Sequence, residues 1–260
     1  KNLKEGGYSL KTILVTNRKG GVGKTTTTVN LAVGIASKGY QVLLIDLDTQ
    51  GHLQFGLGVD KDFRLGIHDM LKINKFDSKS IQRTFMETLD FIPAHINFDI
   101  SELGNESANL KNIFKKIKVK NNYDFCIIDT PPTSDILLKN ALKVSDFALI
   151  PMQCEFLSLK GVLQFLRIFY QHTKSLKSDI EFLGVVPTMY NKNIKEHQDI
   201  LKKLSLDVGA KKILPSIRKD IKLANAFASG VPLCKKEPRA RGAVDYEKLT
   251  QTVLNKIERI

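Results

Sequence analysis

Apolar residues in this chain gather in short continuous runs, and the segments between them carry a helical period. TILVTN at Thr12–Asn17, QVLLID at Gln41–Asp46, DFCIID at Asp124–Asp129, DFALIP at Asp146–Pro151 and EFLGVVP at Glu181–Pro187 have the length of strands. They do not alternate with polar residues, as befits strands covered on both faces. Helices are predicted over Lys24–Lys38, Asn105–Lys118, Ile136–Lys143, Ser158–Lys174 and Lys195–Leu206, with Gly39 as the C-cap glycine of the first. Residues 60–90 are less regular, and short helices are predicted there before a strand at Leu89–Pro93. A last helix is predicted over about Val244–Ile260. This β-α-β-α order implies an α/β fold: a mostly parallel, twisted sheet with helices on both faces.

Length adds little to that picture. The 260 residues suit one α/β domain, taken as 11–260 behind a loose leader, 1–10, that contains Gly6-Gly7. No apolar run reaches the ~18 residues of a membrane span, and Lys1 to Leu10 lacks the apolar stretch of a signal peptide. Cys126, Cys154 and Cys234 are odd in number and widely spaced, which argues against a disulfide framework or a CxxC metal site and fits a reducing cytoplasm. These cysteines and the five histidines are read as structural.

Charge changes more. Lys and Arg number 40 against 27 acids, a net charge of +13. That excess points to a polyanion, nucleic acid first and an anionic membrane second. A lysine-rich proteome is the plainer source, since only 8 of the 40 basic residues are Arg.

The sharpest chemical signal is Arg18-Lys19-Gly20-Gly21-Val22-Gly23-Lys24-Thr25-Thr26, between a predicted strand and a predicted helix. Glycines let amides turn toward an anion, and a helix N-terminus adds positive potential. Lys24 would reach the β- and γ-phosphates of a nucleotide, and the Thr25 hydroxyl would sit on Mg²⁺. A P-loop NTPase-like fold follows, although Arg18 occupies the place of the first glycine in G-x-x-x-x-G-K-[ST]. Carboxylates stand where such a fold places its ligands. Asp46 and Asp48 close the second strand, and on an extended chain i and i+2 point to one side. Asp129 closes an apolar strand before Thr130-Pro131-Pro132, the Walker B arrangement.

With Lys19 ahead of the glycines, the loop resembles the deviant Walker A motif KGGxGKT of the ParA/MinD family, closest to ParA/Soj-type partition ATPases. DLDTQGH at 46–52 resembles that family's DxDPQGN, with Thr49 and His52 as departures. Ile150–Gly161 is similar to the segment after its fourth core strand, and Lys219–Pro232 to RNVRLSEAPSFGKP. The resemblance runs from about Thr12 to Ile257. It implies ATP and Mg²⁺ as cofactors and Lys19, Lys24 and Asp48 as catalytic residues. Lys19 would cross a dimer interface to the partner's nucleotide, and Asp48 would orient the attacking water. Thr25 and Asp129 would hold Mg²⁺, with Asp46 in its outer shell or supporting the structure. The nucleotide would be bound by Lys19, Gly20, Gly21, Val22, Gly23, Lys24, Thr25 and Thr26, with Arg218 and Asp220 at the adenine. Arg218 stands where Pro is common and Asp220 where Asn is.

Basic residues gather late in the chain: Arg218, Lys219 and Lys222, then Lys235, Lys236, Arg239 and Arg241. In ParA relatives this region binds DNA without sequence preference. That chemistry is phosphate neutralisation and needs no base-reading helix. No helix-turn-helix precedes the loop, so operator-specific binding is not expected. The resemblance therefore implies an ATP-dependent sandwich dimer on the nucleoid. It would bind double-stranded DNA, segregate or position DNA or another cargo, and hydrolyse ATP slowly until a ParB-like adaptor acts. The alternatives are a MinD-like, membrane-associated regulator of cell division and, further off, a metabolic P-loop ligase or synthetase. For the first, the stripe Leu249, Val253, Leu254, Ile257 and Ile260 in the last helix is the test. It carries Asp245, Glu247 and Glu258 nearby and no Trp or Phe, so it is read as core packing rather than a stable membrane anchor.

Overall fold

Seven strands form one sheet in the order β3-β4-β2-β5-β1-β6-β7. They are β1 (Lys11–Val15), β2 (Val42–Asp46), β3 (Gln82–Arg83), β4 (Leu89–Ile92), β5 (Phe125–Asp129), β6 (Phe147–Gln153) and β7 (Glu181–Thr188). All neighbours are parallel except the two-residue edge strand β3, which runs antiparallel to β4. The computed structural model describes residues 10–59, 63, 65–103, 109–120, 123–132, 135–176 and 179–259. Residues 1–9 of the expected leader, the expected helix start at 105–108, and Ile260 lie outside them.

Side chains of every strand but β3 enter two cores, one per face. Ile13, Val15, Leu44 and Ile127 join one cluster, and Leu14, Leu43, Ile45 and Ile128 join the other. This is why the strands read as unbroken apolar runs. On the first face lie α1 (Lys24–Ala36) and α10 (Arg241–Ile257). The second is covered by α3 (Ile67–Ile73), α4 (Leu110–Lys120), α5 (Asp135–Leu142), α6 (Phe156–Leu176) and α7 (Lys195–Val208). Short helices α2 (His52–Gly56), α8 (Ile221–Ala228) and α9 (Leu233–Lys236) complete the layer beside α1 and α10.

Helix α1 is rich in Thr and Val, poor helix formers. Eleven of its thirteen residues are buried, so packing holds it. The helix ends at Ala36, and Gly39 follows with a φ of 92° in the terminating turn. Leu249, Val253, Leu254 and Ile257 of α10 are buried in the same cluster as α1. The stripe thus faces the core, and no described helix is long and apolar enough to cross a membrane.

Register positions the chemistry. Val15, Asp129 and Asp46 are aligned across β1, β5 and β2. The loop after β1 therefore leaves the sheet level with two carboxylates, at the strand carboxyl ends where open α/β sheets bind ligands.

Candidate active site

The loop from Asn17 to Gly23 is shaped by anchored carbonyls. Thr188 Oγ1 donates to the Val22 carbonyl (2.8 Å) and Gln153 Nε2 to the Gly21 carbonyl (3.1 Å). The buried Asn17 side chain accepts the Lys19 N–H and donates to the Pro151 carbonyl. Gly21 and Gly23 have φ of 71° and 82°, a region that a Cβ disfavours. Among the described residues, the amides of Gly21, Gly23, Lys24 and Thr25 have no backbone acceptor. Helix α1 has neither a side-chain N-cap nor an acid in its first turn. Free donors and the helix dipole together make this loop an anion cradle.

The two lysines occupy opposite sides of the loop. Lys24 is buried, and its Nζ lies 3.2 Å from the Lys19 carbonyl inside the loop. Burial lowers its pKa, against the pull of Asp129 and Asp48. Lys19 points outward: its Nζ reaches Glu155 Oε2 at 2.6 Å and Ser158 Oγ at 2.9 Å.

Asp129 is held by two hydroxyls of α1. Thr25 Oγ1 donates to Oδ2 (2.7 Å) and Thr28 Oγ1 to Oδ1 (3.1 Å). Burial raises its pKa to about 6, opposed by Thr25 and Lys24. Asp46 is raised well above the usual carboxylate range, by burial first and the Asp129 charge second. Two buried acids at one level form a site short of positive charge, which suits a cation. No cluster of three or more His, Cys, Asp or Glu among the described residues could cage a metal unaided. Thr25 and Asp129, in contact at the end of the loop, could hold a Mg²⁺ ion shared with ligand phosphates.

Asp46 and Asp48 do not share a strand face, because β2 stops at Asp46. Asp46 Oδ1 accepts the Asp48 N–H (2.9 Å) and Oδ2 the Leu53 N–H (3.3 Å), which bends the chain out of the sheet. Asp46 thus holds the turn that presents Asp48. The Asp48 carboxylate, half-buried, accepts the Gln50 N–H at 3.1 Å.

Beside the loop opens a mostly apolar cavity of about 240 Å³. Gly23, Thr26, Met189, Ile221 and Tyr246 line it together with Arg218 and Asp220. Arg218 does not extend freely into it: Nε and Nη2 grip the two oxygens of buried Asp245 at 2.9 and 2.8 Å. Asp220 caps α8 through the Lys222 N–H and holds the Gly242 N–H of α10. Of the other late basic residues, Lys222 pairs with Glu237 and Lys236 reaches Ser229 Oγ. Lys219, Lys235, Arg239 and Arg241 are exposed.

Several groups here went unread in the sequence. Thr28 sits three residues after Thr25, on the same helix face, so helical spacing could have found it. Met189 and Tyr246 reach the cavity from distant segments and carry no motif. Glu155 and Ser158 touch Lys19 across more than 130 residues.

The family model described as an AAA domain matches residues 10–182. The chain is 38% identical over 253 residues to the sporulation initiation inhibitor protein Soj of Bacillus subtilis, covering 94% of this chain and 98% of that protein. It is 30% identical to the chromosome partitioning protein ParA of Caulobacter vibrioides, with 95% of each covered. A crystal structure of cobyrinic acid a,c-diamide synthase from Mycobacterium smegmatis, with an ATP analog and magnesium, superposes with a TM-score of 0.79 at 30% identity, over 96% of each chain.

Proposed function

The chain belongs to the ParA/MinD family of deviant Walker A ATPases, alongside the Soj/ParA partition proteins, and on that premise we propose that its ATP cycle segregates or positions DNA or another cargo. It is an ATPase of the ParA type. ATP and Mg²⁺ are its proposed cofactors, in keeping with the synthase structure that holds an ATP analog and magnesium. Residues 11–260 would act as one ATPase domain.

In this scheme the free amides of the loop and Lys24 bind the phosphates, and the cavity beside Tyr246 takes the base. Thr25 and Asp129 hold Mg²⁺, whose charge offsets what builds on the phosphate oxygens during transfer. Asp46 fixes the turn, and Asp48 orients the water for in-line attack. Two subunits close over two nucleotides, each lending Lys19 to the other. Lys219, Lys235, Arg239 and Arg241 meet DNA phosphates, with Arg218, Lys222 and Lys236 partly neutralised nearby. A ParB-like adaptor raises a slow basal rate, and the dimer works on the nucleoid in the cytoplasm.

The observation that carries this proposal is the division between the lysines. Lys24 serves the interior of its own loop, while Lys19 stands on the outer lip and turns its ammonium away. A lysine so placed can serve a phosphate beyond its own protomer.

The deciding experiment titrates duplex DNA with ATP, with ADP and without nucleotide, at two salt concentrations, on wild type and Asp48→Ala. Binding should need ATP, persist in Asp48→Ala and weaken steeply with salt. Equal binding in all three nucleotide states would reject the scheme. So would ATP-dependent binding to vesicles in place of DNA, or turnover that responds only to a small-molecule substrate.

A further inference from the structure

Leu47 lies between the two carboxylates, and its carbonyl meets a buried histidine. His68, in the first turn of α3, is fully buried. Its Nε2 is 3.3 Å from the Leu47 carbonyl, and its Nδ1 is 3.1 Å from the backbone N–H of His95. A backbone amide can only donate, so Nδ1 must accept. The neutral ring then carries its proton on Nε2 and donates it to Leu47. Burial pulls the imidazole down to about 4, which keeps the ring neutral at ordinary pH. Phe98 stacks on the ring with centroids 5.3 Å apart.

The Leu47 carbonyl and the Asp48 N–H belong to one peptide group, and that group is planar and rigid. His68 grips its oxygen, and Asp46 Oδ1 grips its N–H. The peptide is therefore pinned at both ends. The segment that meets His68 also holds the chain two peptides along: the Asn97 N–H donates to the Thr49 carbonyl at 3.0 Å. Rotation of the Leu47–Asp48 peptide would swing the Asp48 carboxylate, and these bonds oppose it.

We infer that His68 is a positioning residue for hydrolysis: its Nε2–H holds the Leu47 carbonyl and so fixes the direction in which Asp48 points. This rests on the proposal that Asp48 orients the water. His68 is fully buried and lines neither the loop nor the cavity beside it, so it governs the rate of the chemical step and leaves nucleotide affinity alone.

The test compares His68→Phe, which fills the space without a donor, with His68→Gln, whose amide N–H can reach Leu47. Single-turnover ATP hydrolysis and the Kd for a fluorescent ATP analogue are measured on both. His68→Phe should lose about tenfold or more in rate, with Kd within about twofold. Gln should recover most of the rate while remaining less stable than wild type, since it gives up the acceptor for His95. In an Asp48→Ala background His68→Phe should add no further loss. The inference is overturned if Phe keeps the wild-type rate, if rate and affinity fall together, or if Gln is no better than Phe. If Asp48→Ala hydrolyses normally, the role of Asp48 falls and this inference with it. If Asp48→Ala is inactive and His68→Phe is not, the inference alone falls. Should His68→Phe fail to fold, nitrogen-15 spectra of the wild-type ring decide. A neutral Nε2–H tautomer is expected near neutral pH, and an Nδ1–H tautomer would overturn it.

Discussion

Lys19 donates to Glu155 over 2.6 Å, so the lysine proposed to reach a second subunit is engaged within its own. Dimer closure must break that bond. The two side chains are 39% and 54% exposed, and such a pair is worth roughly 0.2–1 kcal/mol. Each subunit breaks one such pair on closure, so Glu155→Gln should strengthen ATP-dependent dimerisation by up to about thirtyfold. Light scattering on the Asp48→Ala background would measure it. The gain should shrink as added salt screens the pair in the parent protein. A weaker dimer in Glu155→Gln would show instead that Glu155 assists closure.

Asp129 links pH to stability. Burial raises its pKa from 3.8 to about 6 against the Thr25 hydroxyl and Lys24. A raised folded pKa gives a contribution complete below the unfolded value and lost as pH climbs through the folded one. The ligand-free protein therefore loses this stability between about pH 4 and 6. The rise is equivalent to roughly 3 kcal/mol at most, less whatever the hydroxyls lose. Asp129→Asn should unfold at higher denaturant than wild type at about pH 7.5. Urea melts across the pH range should show the gap closing toward about pH 4. The same substitution should abolish ATP hydrolysis.

Parts of this molecule can be read directly from its residues, for reasons specific to each. The interior strands show because two covered faces demand an unbroken run of apolar side chains, as in FCII of β5 before Asp129. The loop shows because glycines in left-handed backbone leave a local signature. The edge strand β3 has two residues and no pattern to carry. Helix α9, with four residues, is too short for a helical period to emerge. The turn at Asp46 depends on a side-chain bond to Leu53 seven residues on, which strand spacing alone does not reveal. Side-chain pairs such as Arg218 with Asp245 turn an apparent free charge into a neutral clamp, and only the fold brings them together.

Helices α1 and α10 meet closely enough to be tested with one methyl group. A Cβ on Gly34 would lie 2.4 Å from Thr250 Oγ1 and 3.1 Å from its Cγ2. Thr250 Oγ1 also donates to the Tyr246 carbonyl at 2.8 Å, which keeps that rotamer in place. Alanine favours a helix over glycine by about 1 kcal/mol. Overpacking at this crossing costs roughly 1–3 kcal/mol and should win. Gly34→Ala should lower the urea midpoint, and adding Thr250→Ala should restore part of the loss. Simple additivity in that cycle would show that the helices part without strain.

The proposed DNA surface makes a prediction that separates free from clamped arginines. Arg239 and Arg241 are exposed, whereas the Arg218 guanidinium is held by both oxygens of Asp245, whose side chain is 7% exposed. Counterion release follows charges that reach phosphates, at a slope of about 0.9 per contact. Arg239→Glu with Arg241→Glu should flatten the dependence of log K on log salt by roughly 2 and abolish DNA binding near physiological salt. ATP turnover should persist. Arg218→Gln strips a buried carboxylate of its partner, and the penalty should appear as about 1–3 kcal/mol of folding stability. DNA affinity per folded molecule should change little. Anisotropy across a salt series, paired with urea unfolding, reads both quantities. If Arg218→Gln folds as stably as wild type yet loses DNA, the guanidinium must leave Asp245 in the bound dimer. Arg218 would then join Arg239 and Arg241 on the phosphates.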